Sequence, residues 1–105
     1  NTASGYRVVD AAKIVYIETE NRACKIHMAD GSFYLQKESL NNYENVLRKC
    51  RFFRIHKSFL INLDYVQEMR VSYNSGYCVV LRHYENECLP IGRSQIREFR
   101  QIFDR

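Results

Sequence analysis

Tryptophan is missing from this 105-residue chain, proline occurs once and glycine four times. With 46% of residues hydrophobic, that scarcity of chain breakers excludes a disordered or low-complexity segment. Long apolar runs are missing too. None approaches the roughly 20 residues a membrane helix needs, and no basic-then-apolar leader opens the sequence, so no membrane contact is expected of this segment. Closely spaced cysteines are also lacking. Cys24, Cys50, Cys78 and Cys88 form no CxxC pair, and only Cys24 lies within four residues of a histidine, His27. Zinc sites normally present close ligand pairs at two places, so neither a metal nor any other cofactor is expected. The cysteines could close two disulfides, but a charged, evenly built domain does not need them. All four are expected as free thiols in a reducing cytoplasm.

What the chain does have is aromatic rings: eight Tyr and six Phe, residues that suit pleated, half-buried surfaces. The fold class expected is mainly β. The length fits one domain, residues 1–105, and a domain of this size buries roughly 65% of its unfolded surface. The chain opens on Asn1 rather than Met, so it reads as a piece of something longer, with residues 1–6 a tag remnant or linker.

The formal net charge is +4, but its placement is uneven. Between Arg48 and Lys57 the sequence is RKCRFFRIHK, with five Lys or Arg and no acid. The stretch from Arg93 onward adds four arginines against Glu98 and Asp104, and the remainder is net acidic. Basic residues interleaved with Phe52, Phe53, Ile55 and Phe59 fit a strand with one core face and one cationic face. Solvated faces usually mix signs, so a polyanionic partner is expected.

Along the chain, Ile14–Glu18 reads as a buried first strand, followed by the polar loop Thr19–Arg22. Asp30-Gly31 signals a two-residue hairpin turn with both residues at positive φ, joining Cys24–Ala29 to Ser32–Gln36. Ser39 reads as an N-cap for a short helix with Leu40, Tyr43, Val46 and Leu47 on one stripe. That helix is expected to end by Cys50, with Arg48 and Lys49 in its last turn. Strands are then expected at Phe59–Asn62, Tyr65–Tyr73, Tyr77–Arg82 and Glu87–Ile91. Turns are expected at Asn74–Gly76 and His83–Asn86, and Pro90 marks a sheet edge. Ser94 is expected to cap a terminal helix carrying Ile96, Phe99 and Phe103. The total is about seven strands or more and two short helices, neither helix suited to lie in a major groove.

The run Phe53-Arg54-Ile55-His56-Lys57-Ser58-Phe59-Leu60-Ile61-Asn62, continuing to Val66, resembles the central signature of the LytTR-type DNA-binding domain. Ile14–Glu18, Ser39-Leu40 and Leu89-Pro90-Ile91-Gly92-Arg93-Ser94 resemble three further pieces of that family in order and spacing. The resemblance implies an elongated arrangement of small antiparallel sheets and the output role of bacterial LytR/AlgR/AgrA-type response regulators. It implies an upstream receiver domain in the parent chain, and double-stranded promoter DNA read as paired repeats by loops in successive major grooves. A dimer on DNA and the absence of catalysis follow as well. Carried over residue by residue, base contacts fall to Arg22, Lys57 and Arg93. Loop or phosphate contacts fall to Asn21, Lys25, Arg51, Arg54, His56 and Ser58, and Asn62 reads as a structural turn residue.

Other readings stand beside this one. A single-stranded nucleic-acid binder would use Tyr34, Tyr73 or Tyr77 as stacking platforms. A nuclease would use His27, His56 and His83 with Lys57, although these are scattered and no clustered carboxylates accompany them. The basic face could also meet an acidic protein.

Overall fold

The computed structural model describes residues 8–72 and 76–103. Eight strands and two helices are seen in these residues: β1 (Ile14–Glu20), β2 (Ala23–Met28), β3 (Phe33–Gln36), α1 (Leu40–Val46), β4 (Phe52–His56), β5 (Phe59–Asn62), β6 (Val66–Val71), β7 (Tyr77–Leu81), β8 (Tyr84–Pro90) and α2 (Arg93–Phe103). They form a five-stranded antiparallel sheet in the order β3-β2-β1-β5-β4 and a three-stranded one in the order β6-β7-β8. The expected mainly β, elongated fold is what is found, with extents of 48 × 27 × 24 Å.

Alternation along the strands of the larger sheet builds two cores. One face carries Ile17, Cys24, Ile26 and Leu60 against Leu40 and Leu47 from α1 and the turn after it. The opposite face carries Tyr16, Ile55 and Ile61 against Val79, Leu81 and Leu89 of the smaller sheet and Phe99 of α2. A break in register between Ile14 and Tyr16 lets the neighbours Val15 and Tyr16 both enter the second core, which strict alternation would forbid. His27 belongs to this packing: it is buried, its ring stacks 4.1 Å from that of Tyr16, and Nε2 lies 2.6 Å from Glu18 Oε2. Burial and the nearby Glu18 carboxylate push the Tyr16 hydroxyl pKa well above its usual range.

Asn62 has the structural role expected of it. Its Oδ1 accepts from Asp64 N at 3.0 Å and its Nδ2 donates to Ile14 O at 2.9 Å, tying β5 to the start of β1. Ser39 caps α1 by accepting from Asn42 N at 3.0 Å. Pro90 ends β8, an edge strand of the smaller sheet, as its missing N–H requires.

Several expectations are corrected. The helix stops at Val46, before Arg48 and Lys49, and Val46 points to solvent rather than into the stripe. Ser94 lies inside the first turn of α2, which begins at Arg93. At Asp30-Gly31 only Gly31 has positive φ (91°), and Gly31 N bonds back to Met28 O, so the loop is a longer turn with a left-handed glycine at its end. The expected turn at Asn74–Gly76 and the end of the strand at Tyr73 fall largely outside the described residues, as do residues 1–6.

The cysteines divide. Cys24 is a buried thiol donating to Glu38 O at 3.1 Å, and Cys50 is a free, exposed thiol. Cys78 and Cys88, expected as thiols, are joined as a disulfide between β7 and β8, with Cα atoms 5.5 Å apart. Cys78 stands opposite Pro90, so Cys88, two residues back along β8, is its diagonal neighbour across the ladder, and nothing in the spacing of the cysteines announces that pairing.

Candidate nucleic-acid interface

The β1–β2 turn, the β4–β5 turn and the start of α2 come to the same end of the larger sheet. β1 and β5 are antiparallel neighbours, with Glu18 opposite Phe59, and Thr19 N donates to Ser58 O at 3.1 Å. The turn bearing Asn21 and Arg22 therefore stands beside the turn bearing Lys57 and Ser58. On the other side, Gly92 N donates to Ile55 O at 2.7 Å, which sets Arg93 beside the free edge of β4, close to that same turn. Three separate stretches of sequence thus meet at one end, each presenting an exposed cation: Arg22, Lys57 and Arg93.

The β1–β2 connection is a tight two-residue turn between the paired Glu20 and Ala23. Asn21 (φ 49°) and Arg22 (φ 67°) are both left-handed, the conformation expected instead of Asp30-Gly31. Asn tolerates this region well, whereas for Arg it costs roughly 1–2 kcal/mol, because Cβ crowds the carbonyl oxygen. Lys25 lies back from the tip. Its Nζ is 3.9 Å from Glu20 Oε1 and 4.2 Å from the centroid of Phe33, so it is drawn across the sheet surface.

The β4–β5 turn is built differently. Ser58 N donates to His56 Nδ1 at 3.0 Å, which fixes the neutral ring with its proton on Nε2. Burial, with Lys57 and Arg54 close by, holds the His56 pKa below the ordinary histidine value. Lys57, at the apex, is exposed and has no acidic partner among the described residues.

Arg54 and Arg51 do not fit the phosphate contacts expected of them. Arg54 is turned inward on the α1 side of the sheet, with its side chain 20% exposed and most of its N–H donors spent. Nε donates to His56 O (2.8 Å) and Nη2 to Lys57 O (2.6 Å), while Nη1 donates to Asn41 Oδ1 and Glu44 Oε1, both at 2.8 Å. Arg51 sits at the opposite end of β4, about 20 Å of extended chain from Lys57, and bonds Asp64 Oδ1 at 2.6 Å. The acid-free decade is thus balanced by acids from elsewhere in the sequence. Strand β4 has no free cationic face: Arg54, at its centre, is paired with Glu44 of α1, and Arg51 and Lys57 lie just beyond its two ends. Nothing in the sequence marks Asn41 and Glu44 as partners of the basic run. Their spacing of three places them on one helix face, a signal with no meaning until β4 is known to pass beneath it.

Of the three tyrosines named as stacking platforms, two are described, and both are half-buried. Tyr34 and Tyr77 pack against the two cores, and Tyr73 lies outside the described residues.

An elongated, mainly β domain with exposed cations gathered on turns at one end belongs to the class of nucleic-acid-binding modules. The family model described as LytTr DNA-binding domain matches residues 4–104, nearly the whole chain. The chain belongs to that family and is a DNA-binding domain. It is 33% identical over 87 residues to the transcriptional regulatory protein LytR of Staphylococcus aureus (strain MW2), covering 83% of this chain and 34% of that protein. It is 27% identical over 95 residues to the sensory transduction protein LytT of Bacillus subtilis (strain 168), covering 90% and 38%. The chain spans little more than a third of the length of these curated relatives. Its fold matches a solved LytTr DNA-binding domain of a putative methyl-accepting/DNA response regulator from Bacillus cereus, with a TM-score of 0.80 and 23% identity, covering 100% of this chain and 94% of that one.

Proposed function

We propose that this domain binds double-stranded promoter DNA in the cytoplasm, as the output part of a bacterial response regulator whose receiver domain precedes it in the parent chain. The observation that carries the reading is the meeting of Arg22, Lys57 and Arg93 at one end of the larger sheet, the first two on tight turns and the third at the start of α2. Arg22 and Arg93 have the planar, forked donors that match a guanine edge, and Lys57 supplies a point cation to guanine or phosphate. Asn21 and the hydroxyl of Ser58 lie on the same turns as further polar contacts. His56 offers Nε2–H as a neutral donor to a phosphate oxygen. Two copies on paired repeats would set these turns in successive major grooves. No reaction is catalysed.

The test is a gel-shift titration of matched and scrambled promoter fragments. The matched fragment is expected to bind more tightly, and Arg93→Ala to relax discrimination at one base pair, a difference of about 1–3 kcal/mol. Equal affinity for matched and scrambled fragments would overturn sequence-specific reading. Tighter binding to single-stranded DNA than to any duplex would return the single-strand alternative.

A further inference from the structure

Arg54 is the most heavily bonded basic side chain at this end of the molecule, and its bonds run in a definite direction. On one side the guanidinium meets α1, through Asn41 Oδ1 and Glu44 Oε1 at 2.8 Å each. On the other it meets two consecutive carbonyls of the β4–β5 turn, His56 O at 2.8 Å and Lys57 O at 2.6 Å. The rest of that turn is also tied: Ser58 N to the His56 ring and Ser58 O to Thr19 N. The backbone around Lys57 is therefore held on every side, while the Lys57 side chain itself is left exposed.

We infer that Arg54 is a positioning residue for DNA binding: a strut that braces the Lys57 turn against α1 and presents Lys57 already arranged for the duplex. The inference rests on the reading of Lys57 as a DNA contact. Its physical basis is pre-organisation. A turn fixed before binding loses little conformational freedom when it meets DNA, whereas a loose one must be ordered at the cost of affinity. A planar guanidinium suits this task because it spans two carbonyls on one edge while its remaining N–H groups reach the helix. A lysine ammonium is a point donor without that fork. Glu44 and Asn41 then act on DNA binding through Arg54, although neither is expected to touch the duplex.

The strut has a consequence opposite in sign to simple electrostatics. Removing the negative charge of Glu44 near a polyanion site should strengthen binding if charge alone matters. If Glu44 holds the strut, Glu44→Ala weakens it.

The experiment is a duplex titration, by fluorescence anisotropy at fixed salt, of the wild-type chain and five variants: Lys57→Ala, Arg54→Lys, the double variant, Glu44→Ala and Glu44→Gln. Arg54→Lys keeps the charge and is expected to lose about tenfold in affinity. In the Lys57→Ala background the same change is expected to lose less than twofold, because the cation that the strut positions is then gone. Glu44→Ala is expected to lose about threefold, and Glu44→Gln, which keeps an acceptor oxygen, about twofold or less. Thermal melts of each variant accompany the titration, and Glu44 is exposed enough that its variants remain folded even if Arg54→Lys does not. If Lys57→Ala alone leaves affinity unchanged, the reading of Lys57 as a contact falls, and the strut with it. If Lys57→Ala weakens binding but Arg54→Lys costs as much in its background as alone, the interface stands and the strut is overturned. Tighter binding by Glu44→Ala overturns it equally.

Discussion

The two neighbouring turns at the cation-bearing end of the larger sheet obtain their shape in opposite ways. The Lys57 turn is tied by side chains from outside it: Arg54 on its carbonyls and the His56 ring on Ser58 N. The Arg22 turn is formed by its own backbone, with Asn21 and Arg22 both at positive φ and no side-chain bond from elsewhere among the described residues. The first is tied by side chains of its own strand, Arg54 and His56, with Asn41 and Glu44 of α1 bonded to Arg54 behind it. The second stores strain at the residue expected to read a base, an arrangement that persists because β1 and β2 pair up to Glu20 and Ala23 on either side. Stability and DNA affinity should therefore move together when the Lys57 turn is altered and move apart when the Arg22 turn is altered.

The largest effect asks whether both turns act as cations towards DNA at all. If about six phosphates are neutralised, affinity is expected to fall about a thousandfold between roughly 50 and 200 mM salt. A flat salt dependence would remove both turns from the account. The next effect is a control remote from them. Reducing the Cys78–Cys88 disulfide, which closes a loop of sequence separation 10, is expected to cost about 2–3 kcal/mol of stability in the chain-entropy picture. A melt with and without a dithiol reductant measures it. Affinity at a temperature where the chain stays folded should not change, and a large change would place the smaller sheet in the interface.

Arg22→Gly sharpens the contrast most. Relief of the left-handed strain, less the entropy glycine loses on folding, should raise stability by about 0.5–1 kcal/mol, or a few degrees in Tm. The same change should lower duplex affinity about tenfold. A variant that loses both stability and affinity would show that the Arg22 turn is not strained. The smallest effect is on pH. The His56 pKa lies below the ordinary value in the folded state, so the folded chain favours the neutral ring. The stability it contributes is present above the unfolded pKa of about 6.5 and is lost as pH falls through the lower folded value. Melts are expected to show less stability below that range in wild type, with the effect reduced in His56→Gln.

Much of this was legible in the sequence. Ser39 as a cap, Asn62 as a turn residue and Pro90 at an edge depend on local chemistry, which neighbouring residues determine. The long strands were legible from alternation, and the three cationic stretches from charge and resemblance. What was not legible required partners distant in the chain. Arg54 and Arg51 look identical in a basic decade, yet Glu44 and Asp64 meet them only once β4 is paired with β5 and α1 is packed on that sheet. Local preference puts the left-handed pair at Asp30-Gly31, because glycine favours it. The pairing of β1 with β2 imposes it instead on Asn21-Arg22, a case of sheet register overriding local preference. Cys78 and Cys88 are ten residues apart in sequence, and only the pairing of β7 with β8 makes them neighbours.

The central claim is that two turns and the start of α2, far apart in the sequence, form one duplex-binding end. Mapping backbone amide shifts of the isotope-labelled chain during titration with a promoter duplex tests it most directly. The expected result is a set of large shifts confined to Asn21–Ala23, Lys57–Ser58 and Arg93–Ser94, with little change along Val66–Val71 of the smaller sheet. Shifts centred on that smaller sheet, or spread without preference over both ends of the molecule, would contradict it.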